Sequence, residues 1–138
     1  MNQEDRNQIM ELISKNCYYY DVHQPEKRRK LYTDDLHTES WRQGKQIRVT
    51  NTAEEFLEMQ NKRRESLTEQ GIQPRHFNTD ILLEERSDGS VIGTATHFTA
   101  WKRKDEDKPE MVHMGVFDFT FTKTGSQWKI SKRIYHVD

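Results

Sequence analysis

The sequence is poor in apolar residues and carries a single cysteine. Apolar residues, with aromatics and cysteine included, fill 32% of its 138 positions and charged residues 33%, whereas globular domains usually run to about 45–50% apolar. The longest apolar run is residues 17–20, far short of the roughly 20 residues that span a bilayer, so we expect no association with a membrane. Cys17 has no partner for an internal disulfide, which favours a reducing, cytoplasmic location.

The first ten residues show neither a basic segment nor an apolar stretch, so we expect no secretory signal. Disorder is also disfavoured, because the net charge is only −1 and three Trp, five Tyr and six Phe can bury large surfaces. A balanced charge gives no attraction to nucleic acid. The basic runs at 27–30 and 62–64 are flanked by acidic residues, which predicts solvated helix faces.

The length fits one domain over residues 1–138, and its first half has the periodicity of helices. Asn2 is the predicted N-cap of a first helix, whose apolar positions recur every three or four residues at Ile9, Leu12, Ile13, Cys17 and Tyr20. Pro25 predicts a second helix that runs to about Asp34. Two short strands are expected within 36–49. Thr52 to Glu55 forms a capping box for a third helix that stops near Gly71.

Four segments rich in β-branched and aromatic residues follow, at 75–86, 91–103, 111–123 and 127–137, with turn residues between them. Helices followed by an antiparallel meander predict the α+β class. Both faces of these strands are partly apolar, so we expect helices to cover one face and a second copy to cover the other as a homodimer. His76 lies on the less apolar face of its strand. That position suits a pocket wall only if the face is concave or a bulge intervenes.

Several short motifs occur in a recognisable order along the chain. They are Tyr20-Asp21, Leu31 to Asp35, Arg75-His76-Phe77, Gly115-Val116-Phe117-Asp118, Trp128-Lys129-Ile130 and Arg133. In this combination the chain resembles a SnoaL-like domain of the nuclear-transport-factor-2-like superfamily. The resemblance implies a cone-shaped α+β barrel in which a strongly curved antiparallel sheet wraps around the helices, with a pocket at one end and commonly a dimer through the outer sheet face. The superfamily holds enzymes as well as binding modules, so the fold alone does not assign a function.

Tyr20, Asp21 and His76 are the candidate catalytic residues. In scytalone-dehydratase-like members of the family, a Tyr-Asp pair ending the first helix and a His on the first long strand line the pocket. A His or buried Asp can take a proton beside a carbonyl, and a Tyr hydroxyl can stabilise the enolate. The match is incomplete, because Ser40 stands where those enzymes have a second Tyr and Trp101 where they have a second catalytic His. Phe117 likewise replaces a polar amide.

Further pocket-lining residues are predicted from shared strand faces and from the resemblance: Tyr19, His97, Trp101, His113, Phe117 and Trp128. The alternative for His97 and His113 is a place at a subunit interface or in solvent. We expect no metal site, because the spacing of the six histidines is not that of a zinc site and Cys17 stands alone. No cofactor is expected either, since the chain has no Gly-rich phosphate loop.

Two functions remain open. One is a cofactor-independent lyase or isomerase that binds a small, partly apolar carbonyl compound and uses Asp21 and His76 as base and acid, with Tyr20 or Tyr19 as hydrogen-bond donor. The other is a non-catalytic module, either a free-standing ligand binder or a structural subunit that resembles the small subunit of ring-hydroxylating dioxygenases. An enclosed cavity with Asp21 and His76 in contact favours the enzyme, whereas a cone filled by aromatic side chains favours the structural subunit.

Overall fold

A computed structural model describes residues 1–138 as three helices and six strands. In chain order these are α1 (Gln3–Asp21), α2 (Pro25–Arg29), β1 (Tyr32–Arg42), β2 (Lys45–Thr50), α3 (Ala53–Glu69), β3 (Ile72–Glu85), β4 (Val91–Arg103), β5 (Glu110–Thr124) and β6 (Gln127–Val137). The predicted α+β class and the four C-terminal strands are confirmed. None of the helices combines the length and the apolar character that crossing a membrane requires.

Capping side chains set the helix ends where the sequence predicted them. The Asn2 side chain accepts a hydrogen bond from the Asp5 amide at 2.8 Å and begins α1. Thr52 Oγ1 accepts from the Glu55 amide at 3.1 Å and begins α3. Gly71, at a φ of 71° that favours glycine, ends α3 and turns the chain into β3.

The second helix is shorter than predicted. It ends at Arg29 instead of about Asp34, and β1 begins at Tyr32. The reason is tertiary, because the Ile130 amide of β6 donates to the Leu31 carbonyl at 2.8 Å and Tyr32 is fully buried in the core. Pairing with a distant strand therefore overrides the local helical pattern in this segment.

All six strands form one sheet in the order β2-β1-β6-β5-β4-β3. Neighbours pair antiparallel except β1 and β6, which run parallel. The sheet is therefore mixed and not purely antiparallel. It is also open, since β2 and β3 are its two edges. The long connection from β2 through α3 to β3 lies over one face, which we call the inner face.

The core lies between the inner face and helices α1 and α3. The sheet contributes a row of aromatic rings on alternate residues of β5, Phe117, Phe119 and Phe121, all at most 2% exposed. The helices contribute Ile9 and Ile13 from α1 and Phe56 from α3. Alternation along β5 thus directs the phenyl rings inward, as expected for a strand with one covered face.

A β-bulge in β3 explains how His76 reaches the inner face. Thr79 pairs with Thr96 and Leu82 with Thr94, so two residues of β3 oppose one residue of β4. Asp80 takes a φ of 51° at this point. The extra residue shifts the alternation of side chains. As a result, the polar side chains of β3 before the bulge and its apolar side chains after the bulge point to the same face of the sheet. Phe77, predicted on the apolar face, lies outside and is 44% exposed.

Two arginines of the basic runs are buried, which corrects the prediction of solvated faces. Arg28 donates to the Asn16 carbonyl at 2.9 Å and to Gln60 Oε1 at 3.0 Å. Arg64 donates to the carbonyls of Tyr20 and Asp21 at 3.0 and 2.9 Å. The last carbonyls of a helix have no donor within the helix. Arg64 supplies donors for α1 and fixes the end that carries Asp21.

Candidate active site

A cavity of about 610 Å³ lies between α3 and the inner face of the sheet. All six strands contribute to its wall, together with α3 and Tyr20 at the end of α1. Ligand pockets usually measure about 300–1,000 Å³. The protein therefore has room in its interior for an organic molecule of one or two rings, at the end of the fold where α1 stops.

His76 stands on the cavity wall with Asp21 behind it. Its Nδ1 lies 2.6 Å from Asp21 Oδ1, and its backbone amide donates to Asp21 Oδ2 at 2.9 Å. Asp21 is only 3% exposed and does not line the cavity. Because a carboxylate only accepts, Nδ1 carries the hydrogen, and the lone pair of the neutral ring is on Nε2. Nε2 has no hydrogen-bond partner in the protein.

Burial is the dominant influence on the charge of this histidine. It lowers the pKa of His76 below the usual 6.5, although the hydrogen bond and the charge of Asp21 act in the opposite direction. The ring is accordingly neutral near neutral pH, the form in which an imidazole can take a proton. Asp21 orients the ring, and its charge favours the imidazolium form.

Tyr20 supplies a hydroxyl beside the same histidine. Its ring meets that of His76 edge-on with centroids 5.0 Å apart, and it lines the cavity. The hydroxyl makes no hydrogen bond to the protein. Burial raises the pKa of Tyr20, so the phenol keeps its proton and can donate it in a hydrogen bond to a ligand oxygen.

His97 lies on the cavity wall but is held by the protein at both ring nitrogens. Nδ1 is 2.9 Å from Asn78 Oδ1 and Nε2 is 3.2 Å from Thr99 Oγ1. Burial, followed by the charges of its neighbours, lowers the pKa of His97 to about 2. His97 is therefore a neutral wall residue, only 1% exposed, whose nitrogens already have partners.

His113 is the third histidine of the wall, one strand beyond His97. Its Nδ1 is 2.9 Å from the Tyr135 hydroxyl, and its Nε2 has no protein partner. Burial lowers the pKa of His113 and raises that of Tyr135 to about 12. His113 and Tyr135 thus form a neutral hydrogen-bonded pair on the same surface as His76. No cluster of three or more His, Cys, Asp or Glu side chains in the fold has the arrangement of a metal site.

The remaining predicted pocket residues divide into two groups. Trp101 and Phe117 line the cavity, and so does Ser40. Tyr19 and Trp128 do not. Tyr19 lies on another side of α1, in a small crevice beside Pro25, because successive helix residues point in different directions.

Trp128 lies at the far end of α1 from the cavity. Its indole donates to Asp5 Oδ1 at 2.8 Å. Asp5 is 16 residues from Asp21, which is about 24 Å along a helix at about 1.5 Å per residue. Trp128 is buried on the inner face, but that face extends well beyond the cavity, so the prediction that it lines the pocket is wrong.

The arginines of the cavity were not predicted from the sequence. Arg42, Arg48, Arg63 and Arg133 all line it. Arg63 belongs to a run interpreted as a solvated face, and Arg133 appeared only as part of a motif. Alternation along β6 from the inward residues Trp128 and Ile130 would not have placed Arg133 inside, because a register shift between β5 and β6 at Thr120 and Phe121 interrupts it.

Solved structures of other proteins share this fold at low sequence identity. A candidate scytalone dehydratase from Novosphingobium aromaticivorans aligns with a TM-score of 0.76 and 16% identity, over 96% of this chain and 83% of its own. An NTF2-like protein with a cystatin-like fold from the same organism aligns at 0.78 and 18%, over 97% and 82%. The β subunit of a candidate aromatic-ring-hydroxylating dioxygenase, also from that organism, aligns at 0.78 and 15%, over 99% and 90%. The protein therefore has the NTF2-like fold.

The family follows from the sequence itself. Residues 2–134 match the model of the SnoaL-like domain, and the chain belongs to that family. No curated protein matches the sequence. The open mixed sheet, the three helices and the cavity at the end of α1 are the form that the SnoaL-like domain takes in this chain.

Proposed function

We propose that the protein is a cofactor-independent lyase or isomerase that acts on a small, partly apolar carbonyl compound. The observation that carries the proposal is the His76–Asp21 pair, in which Asp21 occupies Nδ1 at 2.6 Å and leaves Nε2 of a cavity-lining histidine free. A general base needs such a free nitrogen within reach of a bound substrate. Asp21 is a positioning residue in this scheme, since it does not line the cavity.

The proton path uses only residues of this chain. Nε2 of His76 takes a proton from the carbon beside the substrate carbonyl, and the C–H electron pair becomes the enolate. The Tyr20 hydroxyl donates a hydrogen bond to the enolate oxygen. The imidazolium, stabilised by Asp21, then returns the proton. Delivery to another carbon gives an isomer, and delivery to a β-hydroxyl releases water and forms a C=C bond.

The shared fold supports an enzyme, but the substitutions in the cavity limit how closely its reaction can be specified. A candidate scytalone dehydratase shares the fold at 16% identity. The substitutions at Ser40, Trp101 and Phe117 all face the cavity, so the three further polar groups of that enzyme class are replaced here. We therefore propose the broader class, proton transfer beside a carbonyl, and not the scytalone reaction.

A test that needs no knowledge of the natural substrate is hydrogen–deuterium exchange beside a carbonyl. The protein is incubated with 2-tetralone in D2O, and loss of the α-proton signal is followed by NMR. The wild type should accelerate exchange, and His76→Gln should lower the rate by about 100- to 10,000-fold. His136→Gln is the matched control, because His136 also pairs with a carboxylate, Asp118, but on the surface. Equal rates for wild type and His76→Gln would refute the proposal.

The second candidate is a non-catalytic module, and the dioxygenase β subunit that shares the fold is its model. A purely structural subunit has no need of an open interior. The cavity of about 610 Å³ supports a ligand-binding role over that alternative. A free-standing ligand binder remains the form of this candidate that agrees with the cavity, and the exchange assay separates it from the enzyme.

We also propose that two copies associate through the outer face of the sheet. Phe77 stacks on Phe98 across β3 and β4 with ring centroids 4.5 Å apart, and Met114, which pairs with Phe98 in the register of β5, is 50% exposed. Apolar area of this kind is a common basis for homodimers.

We further propose a cytoplasmic location. Cys17 is buried, its thiol pKa is raised by burial to about 11, and it has no cysteine to pair with.

A further inference from the structure

The wall of the cavity carries positive charge only. Four arginines line it, Arg42, Arg48, Arg63 and Arg133, and not one of the 23 acidic residues of the chain does. The chain as a whole has a net charge of −1, so the cationic character is local. A cleft lined by one sign of charge concentrates the opposite sign within it.

The cavity arginines also have no partners within the protein. Arg29 and Arg103 pair with carboxylates on the surface, and the buried Arg28 donates to Asn16 and Gln60. None of the four cavity arginines forms an ion pair or a side-chain hydrogen bond. Their donors therefore remain available to a ligand.

Arg133 is the strongest of the four as a binding group. Its guanidinium lies between two phenyl rings, 4.4 Å from the centroid of Phe117 and 5.0 Å from that of Phe56. Its Nε is completely buried without a hydrogen-bond partner. The donors that a ligand in the cavity can reach are therefore the two terminal Nη groups, which have no hydrogen-bond partner and, unlike Nε, are not completely buried.

Arg133 stays charged under ordinary conditions. Burial, and then the charge of Arg28, lower the pKa of Arg133 to about 10, still well above neutral pH. Its contacts with the rings of Phe56 and Phe117 restrict the position of the guanidinium. A fixed, planar fork of N–H donors is the geometry that binds a carboxylate through two parallel hydrogen bonds.

From this arrangement we propose that the ligand of the cavity is an organic anion whose carboxylate docks on Arg133 while its reactive end lies at His76. Arg133 is on β6 and His76 on β3, three strands apart. The rings of His97 and Phe117 lie between them: the His97 centroid is 5.4 Å from that of His76 and 4.6 Å from that of Phe117, and the Arg133 guanidinium is 4.4 Å from the Phe117 centroid. A body of one or two rings that lies over these side chains reaches both groups. The inference deepens the proposed function, because it names the charge of the molecule that the same site takes.

A matched pair of probes isolates the charge. 2-Naphthoate and methyl 2-naphthoate have the same ring system and differ in the negative charge of the carboxylate. Isothermal titration calorimetry of the wild type should show that the acid binds about tenfold more tightly than the ester, or better. The preference should weaken as salt is added, since exposed arginines at the cavity mouth contribute to it. This comparison needs no variant and is unaffected by any folding defect.

Variants then assign the preference to one residue. Arg133→Met should remove most of the preference for the acid while leaving the binding of the ester unchanged, and the exposed arginines account for what remains. Arg133→Lys should restore part of it, because the ammonium keeps the charge and loses the fork. Arg86→Met is the control, since Arg86 is exposed in the β3–β4 hairpin outside the cavity, and it should leave the preference unchanged.

Three outcomes would overturn the inference: equal affinity of the wild type for acid and ester, no binding of the acid at millimolar concentration, or an undiminished preference in Arg133→Met. Failure of the inference and failure of the proposed function are distinguishable, because binding is measured without turnover. Suppose that binding of the acid depends on Arg133 but His76→Gln has no effect on proton exchange. The anion site would then be supported, and the proposed enzymatic activity would be refuted.

Discussion

The pKa of His76 depends on Asp21 in a way that Asp21→Asn tests directly. The carboxylate lies 2.6 Å from Nδ1, and its hydrogen bond and charge raise the pKa of His76 against the lowering effect of burial. An amide of the same size removes the charge and leaves the burial. We therefore expect the pKa of His76 to fall further in Asp21→Asn.

The size of the change follows from the contact. A carboxylate in hydrogen-bond contact shifts the pKa of its partner by about 1–3 units, and each unit corresponds to about 1.4 kcal/mol of preference for the imidazolium. The same variant should lower the free energy of unfolding by about 1–3 kcal/mol, because Asp21 is 3% exposed and also accepts from the His76 amide.

The assay is a ¹H–¹⁵N NMR titration of the histidine rings, which reports both pKa and tautomer. The wild-type His76 should titrate below 6.5 with the hydrogen on Nδ1, and in Asp21→Asn the titration should move to lower pH. Asp118→Asn is the control, since it removes a carboxylate 3.0 Å from His136 on the surface and should leave His76 unchanged. An unchanged or higher pKa of His76 in Asp21→Asn would refute the reasoning.

Three further predictions concern stability and assembly. Burial holds the pKa of His97 at about 2, so below pH 6.5 the unfolded chain binds one proton more than the folded protein, and the free energy of unfolding falls by about 1.4 kcal/mol for each unit by which the pH is lowered. In urea unfolding at several pH values, His97→Gln should flatten this pH dependence. Parallel slopes for the wild type and the variant would contradict the prediction. Gly115→Ala puts a Cβ 2.0 Å from the His136 carbonyl oxygen, so denaturant unfolding should show a loss of about 3 kcal/mol, whereas a near-neutral change would mean that β5 and β6 separate easily. Met114→Lys should convert a dimer to a monomer in sedimentation velocity, and a monomeric wild type would contradict the proposed dimer.

Local signals in the sequence were enough to predict much of the fold. Asn2 and Thr52 begin helices because their side chains accept hydrogen bonds from amides that a helix leaves unpaired. Each of these amides belongs to a residue only three positions further along the chain, so the contact can be predicted from the sequence. The enrichment of β-branched and aromatic residues between turn residues likewise predicted the four C-terminal strands to within three residues. The pairing of Asp21 with His76 came from the family resemblance, and the structure brings these residues together.

Long-range contacts account for the parts that could not be predicted. The early end of α2 depends on Ile130, about a hundred residues downstream of Leu31, whose amide bonds to the Leu31 carbonyl. The bulge at Asp80 changes which residues of half a strand point inward. No glycine or proline at that point indicates a bulge in the sequence. The inward direction of Arg133 has no local signal either, because a charged residue is expected to be exposed to solvent unless something else indicates burial.

The pH dependence of proton exchange shows directly whether neutral His76 acts as the base. If neutral His76 is the base, the rate of α-proton exchange into 2-tetralone should rise with pH and level off, with a midpoint equal to the pKa of His76 found by NMR in the same sample. In Asp21→Asn the kinetic midpoint and the NMR pKa should move down together. Exchange no faster than in buffer, or a midpoint that ignores the shift in His76, would contradict the assignment of His76 as the base.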